Sequence, residues 1–105
     1  MSGDPVIYEV NIDLDAAIRT DYLAWLATHM REIRALPGFT GAAVFEVIDP
    51  PAAAGRAALC VQYRLVDQAA LDTYLRDHAP RLRAEGVARF GGRFQASRRV
   101  LAGLS

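Results

Sequence analysis

FTGAAVFEVI (Phe39–Ile48) and AALCVQYRL (Ala57–Leu65) read as two strands joined directly through DPPAAAGR (Asp49–Arg56). Both runs are rich in apolar and β-branched residues and are bounded by proline and glycine. They form a hairpin with a long, mobile tip. Outward toward the N-terminus, Leu36-Pro37-Gly38 stops a helix, since proline cannot continue it and glycine takes a left-handed turn cheaply. That helix covers Ala16 to Leu36, where Ile18, Tyr22, Trp25, Leu26, Ile33 and Leu36 recur at steps of three and four. Before it, Pro5 to Leu14 alternates with period two, a half-buried strand, and Asp13 or Asp15 can cap the helix that follows.

Outward toward the C-terminus, Asp67 can cap a second helix whose stripe is Leu71, Tyr74, Leu75 and Leu82. Pro80 fits the first turn of a further helical segment after a kink near His78-Ala79, because an interior proline loses a hydrogen bond and clashes. That segment ends near Phe90-Gly91-Gly92, and Arg93 to Leu101 is the last strand. The order is β-α-β-β-α-β, the ferredoxin-like α+β pattern. Right-handed crossovers put both helices on one face of a four-stranded antiparallel sheet. The 105 residues (11.5 kDa) suffice for one domain and not two, with an ordered core at about 5–102.

The helix-facing side of the sheet takes Val6, Tyr8, Val10 and Ile12, then Leu59, Val61, Tyr63 and Leu65, with Phe94 and Val100. The reverse side takes Ile7, Glu9, Asn11, Asp13, Glu46, Cys60, Gln62, Arg64, Gln95, Ser97 and Arg99, with Val44, Ile48 and Leu101. It is too apolar to be simply wet and too polar to be a core. Glu9, Asp13 and Glu46 can pair across it with Arg64 and Arg99. Such a face suits a two-fold homodimer in which the same sheet patch meets itself.

The counts exclude several chemistries. All twelve basic residues are arginine, so Schiff-base enzymes and lysine-bearing phosphate loops are out. No G-x-S-x-G surrounds Ser97, and Ser2 and Ser105 sit at frayed ends. The single cysteine, Cys60, permits no intrachain disulfide and no C-x-x-C pair, and within its apolar run it reads as a small hydrophobe. No G-x-G-x-x-G exists, so no dinucleotide cofactor is expected. Zero net charge argues against nucleic acid. No apolar stretch is long enough for a membrane span. Met1 to Asp4 shows no secretory pattern, and the expected location is cytoplasmic.

Five residues are candidates for a site beneath the helices. His29 falls in the middle of the first helix's apolar stripe, beside Trp25 and Ile33. His78 falls between Tyr74 and Leu82 on the second, with Glu85 farther along the same side. An imidazole near neutrality is the natural general base, and Tyr63 or Tyr74 could orient a substrate oxygen. Arg98 and Arg99 alternate faces. A helix-side Arg98 should find Glu85, another acidic helix residue or an anionic ligand. Each of the five also has a plain structural reading: space-filling histidines, core tyrosines, a salt bridge. His29, His78 and Glu85 stand on different elements without a recognisable ligand spacing, so no metal is expected.

The chain from about Ile7 to Leu101 resembles domain-of-unknown-function family 4286, within the dimeric α/β-barrel superfamily. The resemblance rests on IYEVNIDLD, on WLATHMREIRALPGFTGAAVFEV and, most specifically, on HAPRLR…RFGGRFQASRRVL. It implies a ferredoxin-like monomer that dimerises through its sheet, with no assigned activity. Superfamily relatives include cofactor-free oxygenases, haem-degrading oxygenases, muconolactone-type isomerases and non-catalytic ligand-binding domains, and fold alone does not choose among them. The haem-degrading pattern pairs a first-strand asparagine with a tryptophan and a histidine on the second helix. Here Asn11 is present, but Tyr74 stands in the aromatic place, Ala84 follows ten residues later, and Trp25 is on the first helix. The expectation is therefore a small-molecule-binding module without assigned activity. The alternative is a cofactor-independent oxygenase or isomerase acting on a small aromatic or lactone-like compound.

Overall fold

The computed structural model describes residues 3–104; Ser2 and Ser105, assigned above to frayed ends, lie with Met1 outside the described residues. The strands are β1 (Val6–Asp15), β2 (Phe39–Glu46), β3 (Arg56–Leu65) and β4 (Phe94–Ala102), and the helices are α1 (Arg19–Arg34), α2 (Gln68–Asp77) and α3 (Ala79–Phe90). The sheet order is β2-β3-β1-β4, with every neighbouring pair antiparallel. This is the ferredoxin-like α+β arrangement, its second helical region divided in two.

Local chemistry sets the element ends. Asp15 accepts a hydrogen bond from the Ala17 amide (2.9 Å) and starts a short 3-10 turn, Ala16–Ile18, that leads into α1. Asp67 accepts from the Ala70 amide (2.9 Å) and caps α2. His78, with φ −125° and ψ −37°, stands at the kink that ends α2 and begins α3. Pro80 occupies the first turn of α3, where its missing N–H has no helical partner to lose. Gly38 has φ +88°, and its carbonyl accepts from the Val66 amide (2.9 Å), tying the end of α1 to the start of α2.

The core lies between the helices and one sheet face. Leu14, Leu59, Val61 and Leu65 from the strands meet Ile33, Leu71 and Leu82 from the helices, all less than 2% exposed. Each such side chain contributes roughly 1.5–3 kcal/mol through burial. Among the described residues, no helix is long and apolar enough to cross a membrane.

One strand corrects the sequence reading. Val44 and Glu46 are expected on the reverse face, yet Val44 stands opposite buried Val61 and Glu46 opposite buried Leu59, on the helix side. The cause is a register shift between Phe39 and Gly41. One extra residue there inverts the alternation for the rest of β2. Glu46 accordingly pairs with Arg19 of α1 (2.8 Å), and Ile48 lies beyond the strand end, 81% exposed. The reverse face gains Ala43 and Phe45, opposite Gln62 and Cys60.

The expected charge pairs are likewise rearranged. Glu9 pairs with Arg99, whereas Asp13 takes Arg56 (2.9 Å). Arg64 forms no ion pair among the described residues.

Candidate functional site

Strand register decides which polar side chains enter the space under the helices. Tyr8 and Tyr63 are cross-strand partners on the inward face of β1 and β3, and Arg98 stands opposite Val10 on the inward face of β4. Steps of three and four bring Tyr22, Trp25 and His29 of α1 over the same region, α2 supplies Tyr74, and α3 supplies Arg83 and Gly86. Together they line a cavity of about 350 Å³. Arg83, Val87, Gly91 and Arg98 are its exposed members and form its mouth, between α3 and β4.

The walls are two aromatic groups. Tyr8 lies 6.2 Å from Tyr63 and 5.8 Å from Tyr74, with Phe39 closing behind them. Tyr22 lies 5.5 Å from Trp25 and 5.4 Å from Phe94. Trp25 in turn stacks on the His29 ring at 4.4 Å. Gly86 is buried in mid-helix, and a Cβ there would lie 3.2 Å from the tip of Trp25. This glycine lets the indole lie close against α3.

The site's electrostatics follow from burial and from the absence of acids in the lining. Burial pushes the phenols of Tyr22 and Tyr74 up to about 12, and Tyr63 higher still, so all three stay protonated at neutral pH. Burial lowers His29, against a weaker opposing pull from Glu32. The His29 Nδ1 atom is sealed from solvent and has no hydrogen-bond partner. Tyr8 accepts a hydrogen bond from Arg83 Nη2 (2.9 Å). Arg83 and Arg98 meet no carboxylate among the described residues.

Of the five candidates, His29, Tyr63 and Arg98 line the cavity, and His78 and Glu85 do not. His78 is occupied at the α2–α3 kink, its ring stacked on the Tyr74 ring at 6.4 Å. Glu85 faces outward to Arg81 (3.5 Å), which also holds Glu32 (3.0 Å). Sequence reasoning missed Tyr8, Tyr22, Trp25, Arg83 and Gly86. A signal for two of them was present: all four tyrosines of the chain occupy inward positions, where a hydroxyl needs a partner and a phenylalanine would not. Arg83 and Gly86 gave no such signal, because their role depends on how α3 lies over β1 and α1.

A second, wider recess of about 570 Å³ lies between the hairpin tip (Pro50 to Ala53) and Asn11, Asp13, Gln95 and Ser97. It has neither an aromatic ring nor an arginine. Among the described residues, no three His, Cys, Asp or Glu side chains cluster as a metal site.

A family model described as a domain of unknown function, DUF4286, matches residues 5–104. No curated protein matches the chain. Among solved structures, Rv0793 from Mycobacterium tuberculosis is 24% identical with a TM-score of 0.69, covering 97% of each chain. SnoaB, a cofactor-independent oxygenase from Streptomyces nogalater, is 13% identical with a TM-score of 0.72, covering 98% of this chain and 96% of its own. A dimeric ferredoxin-like protein of unknown function from Thermobifida fusca is 18% identical with a TM-score of 0.62, covering 98% and 95%. At these identities the likeness is one of fold.

Proposed function

Since the chain belongs to the DUF4286 family, which carries no assigned activity, we propose from its own geometry that it binds a small aromatic molecule beneath its helices. The observation that carries this reading is the solvent-open cavity of about 350 Å³ with aromatic walls and two arginines at its mouth. That volume lies at the small end of ligand sites, roughly 300–1,000 Å³, and suits one or two rings. His29, Tyr63 and Arg98 are the site residues we retain from the sequence, joined by Tyr8, Tyr22, Tyr74, Trp25 and Arg83.

The partner we propose for the open sheet face is a second copy of the chain. Phe45 (49% exposed), Ile7 and Leu101 supply apolar area there. The Glu9 carboxylate on this face is already held by Asn11, Gln62 and Arg99, so covering it strands no unpaired carboxylate.

A second reading, a cofactor-independent oxygenase or isomerase, is favoured by the cavity-lining imidazole and the openness of the mouth. A thermal-shift screen with small phenols, quinones, lactones and haem, followed by oxygen-uptake assays on every hit, tests both. A ligand at 100 times its Kd stabilises by about 2.7 kcal/mol. Hits without turnover support the binding module, turnover supports the enzyme, and silence across the library removes both.

A further inference from the structure

Taking the cavity as the ligand site, we propose that it selects an aromatic oxyanion, a carboxylate or phenolate, and that His29 acts there as a hydrogen-bond donor through Nε2 rather than as a base.

The lining is rich in donors and holds no acid. Its polar side chains are the four tyrosines, Trp25, His29, Arg83 and Arg98, with no Asp, Glu, Asn or Gln among them. The nearby acids Glu32 and Glu85 are both engaged by Arg81 on the outer surface. Two guanidinium groups therefore stand at the mouth without a carboxylate partner, free to pair with an anion that enters the cavity. The hydroxyls of Tyr22, Tyr63 and Tyr74 make no hydrogen bond to a protein group among the described residues, and none of them is sealed from solvent. They remain as donors for a ligand oxygen.

His29 joins this set through its two unlike nitrogens. A proton on the sealed, unpartnered Nδ1 would be an orphaned buried N–H, the rarer and costlier arrangement. The neutral ring therefore carries its proton on Nε2, which is not among the sealed, unpartnered atoms and belongs to a side chain that lines the cavity. Accepting a second proton would place it on Nδ1, so the ring resists becoming imidazolium, in line with the downward effect of burial on His29. What it offers the cavity is a fixed N–H.

The outcome for a bound phenol is opposite to that for the protein's own phenols. Tyr22 and Tyr74 are raised because burial disfavours their anions. A ligand oxygen surrounded by the arginines, tyrosines and Nε2–H instead has its anion favoured.

Trp25 is the only tryptophan and lines the cavity, so its fluorescence reports occupancy. The probes are 4-nitrophenol, its methyl ether 4-nitroanisole and 4-nitrobenzoate. The phenolate should quench Trp25 and bind at least about tenfold tighter than the ether, with visible absorbance showing that the bound phenol ionises at least about one pH unit lower than when free. Arg98→Met and Arg83→Met should each lose most of that preference and retain ether binding; both side chains are exposed, and Arg98→Met is the cleaner variant because Arg83→Met also removes the donor to the Tyr8 hydroxyl. Affinity for 4-nitrobenzoate should stay flat between about pH 5.5 and 8, where a titrating imidazole would make it climb as pH falls. Equal binding of phenolate and ether, or an upward shift of the bound phenol, overturns anion selection while the ligand site stands. A climbing 4-nitrobenzoate profile overturns the donor role of His29. No quenching by any probe removes the ligand site as well.

Discussion

Glu9 stands on the open face of the sheet yet is only 2% exposed, because Asn11 Nδ2 and Gln62 Nε2 (2.9 Å each) and Arg99 Nε surround its carboxylate. These are its immediate sheet neighbours, a single layer with water beyond, so it is covered without being deep. Hydrogen bonding, from Arg99 first, lowers its pKa from 4.5 to about 2. The folded value lies below the unfolded one, so the stability it contributes is complete above about pH 4.5 and is lost as pH falls toward 2. Linkage caps that contribution at about 3 kcal/mol, and solvent around Arg99, whose side chain is 66% exposed, brings it nearer 1–2. Denaturant titrations of wild type and Glu9→Gln across this range should show a gap that closes with acidification; a constant gap would sink the assignment. Cys60, half-buried beside Glu9, has its thiol pushed up by burial and by that charge, which suits an inert side chain. Gly86 is the second decisive residue. Gly86→Ala gains roughly 1 kcal/mol of helix propensity but forces the Trp25 tip aside from 3.2 Å. Stability should therefore change by less than about 1 kcal/mol, while aromatic probes lose affinity. Unchanged probe binding would show that Trp25 does not shape the cavity.

At the scale of elements, the bulge at the start of β2 and the joint between α1 and α2 set how the sheet edge and the helices meet. Thr40 sits in that bulge, its hydroxyl donating to the Arg64 carbonyl (3.3 Å), and the inversion it introduces turns Val44 and Glu46 toward the helices. Nothing in FTGAAVFEVI announces it, since period two holds on either side and only pairing with β3 shows the shift. Gly38 was legible as a helix stop, but its second role was not. A Cβ there would lie 2.5 Å from the Ala70 Cβ, in a backbone with φ +88°. Gly38→Ala combines left-handed strain with a clash and should cost about 1–3 kcal/mol. Thermal unfolding checks this, and a loss below about 0.5 kcal/mol would mean that α2 moves away freely.

At the scale of the molecule, the sheet presents two unlike faces, one filled by the helices and the cavity, the other polar but fully satisfied at its centre. Sedimentation of the wild type against Phe45→Asp tests the proposed homodimer. The wild type should sediment as a dimer and the variant as a monomer with unchanged helical content; a monomeric wild type would end the proposal. Val44→Asp is no substitute, because Val44 stands on the helix side of the register. The sequence alone determined the element order, the α+β class, the kink near His78-Ala79 and the inward stripes of the elements other than β2, because periodicity, prolines and caps act over a few residues. It also placed His29, Tyr63 and Arg98 on inward faces, since each follows from counting along one element. Only the tertiary structure decided that His78 is taken up by a kink and Glu85 by Arg81, that Arg83 reaches Tyr8, and that Gly86 admits Trp25. Those outcomes depend on how separate elements lie against one another, and the distances between elements are set by packing of the whole core rather than by any local run of residues.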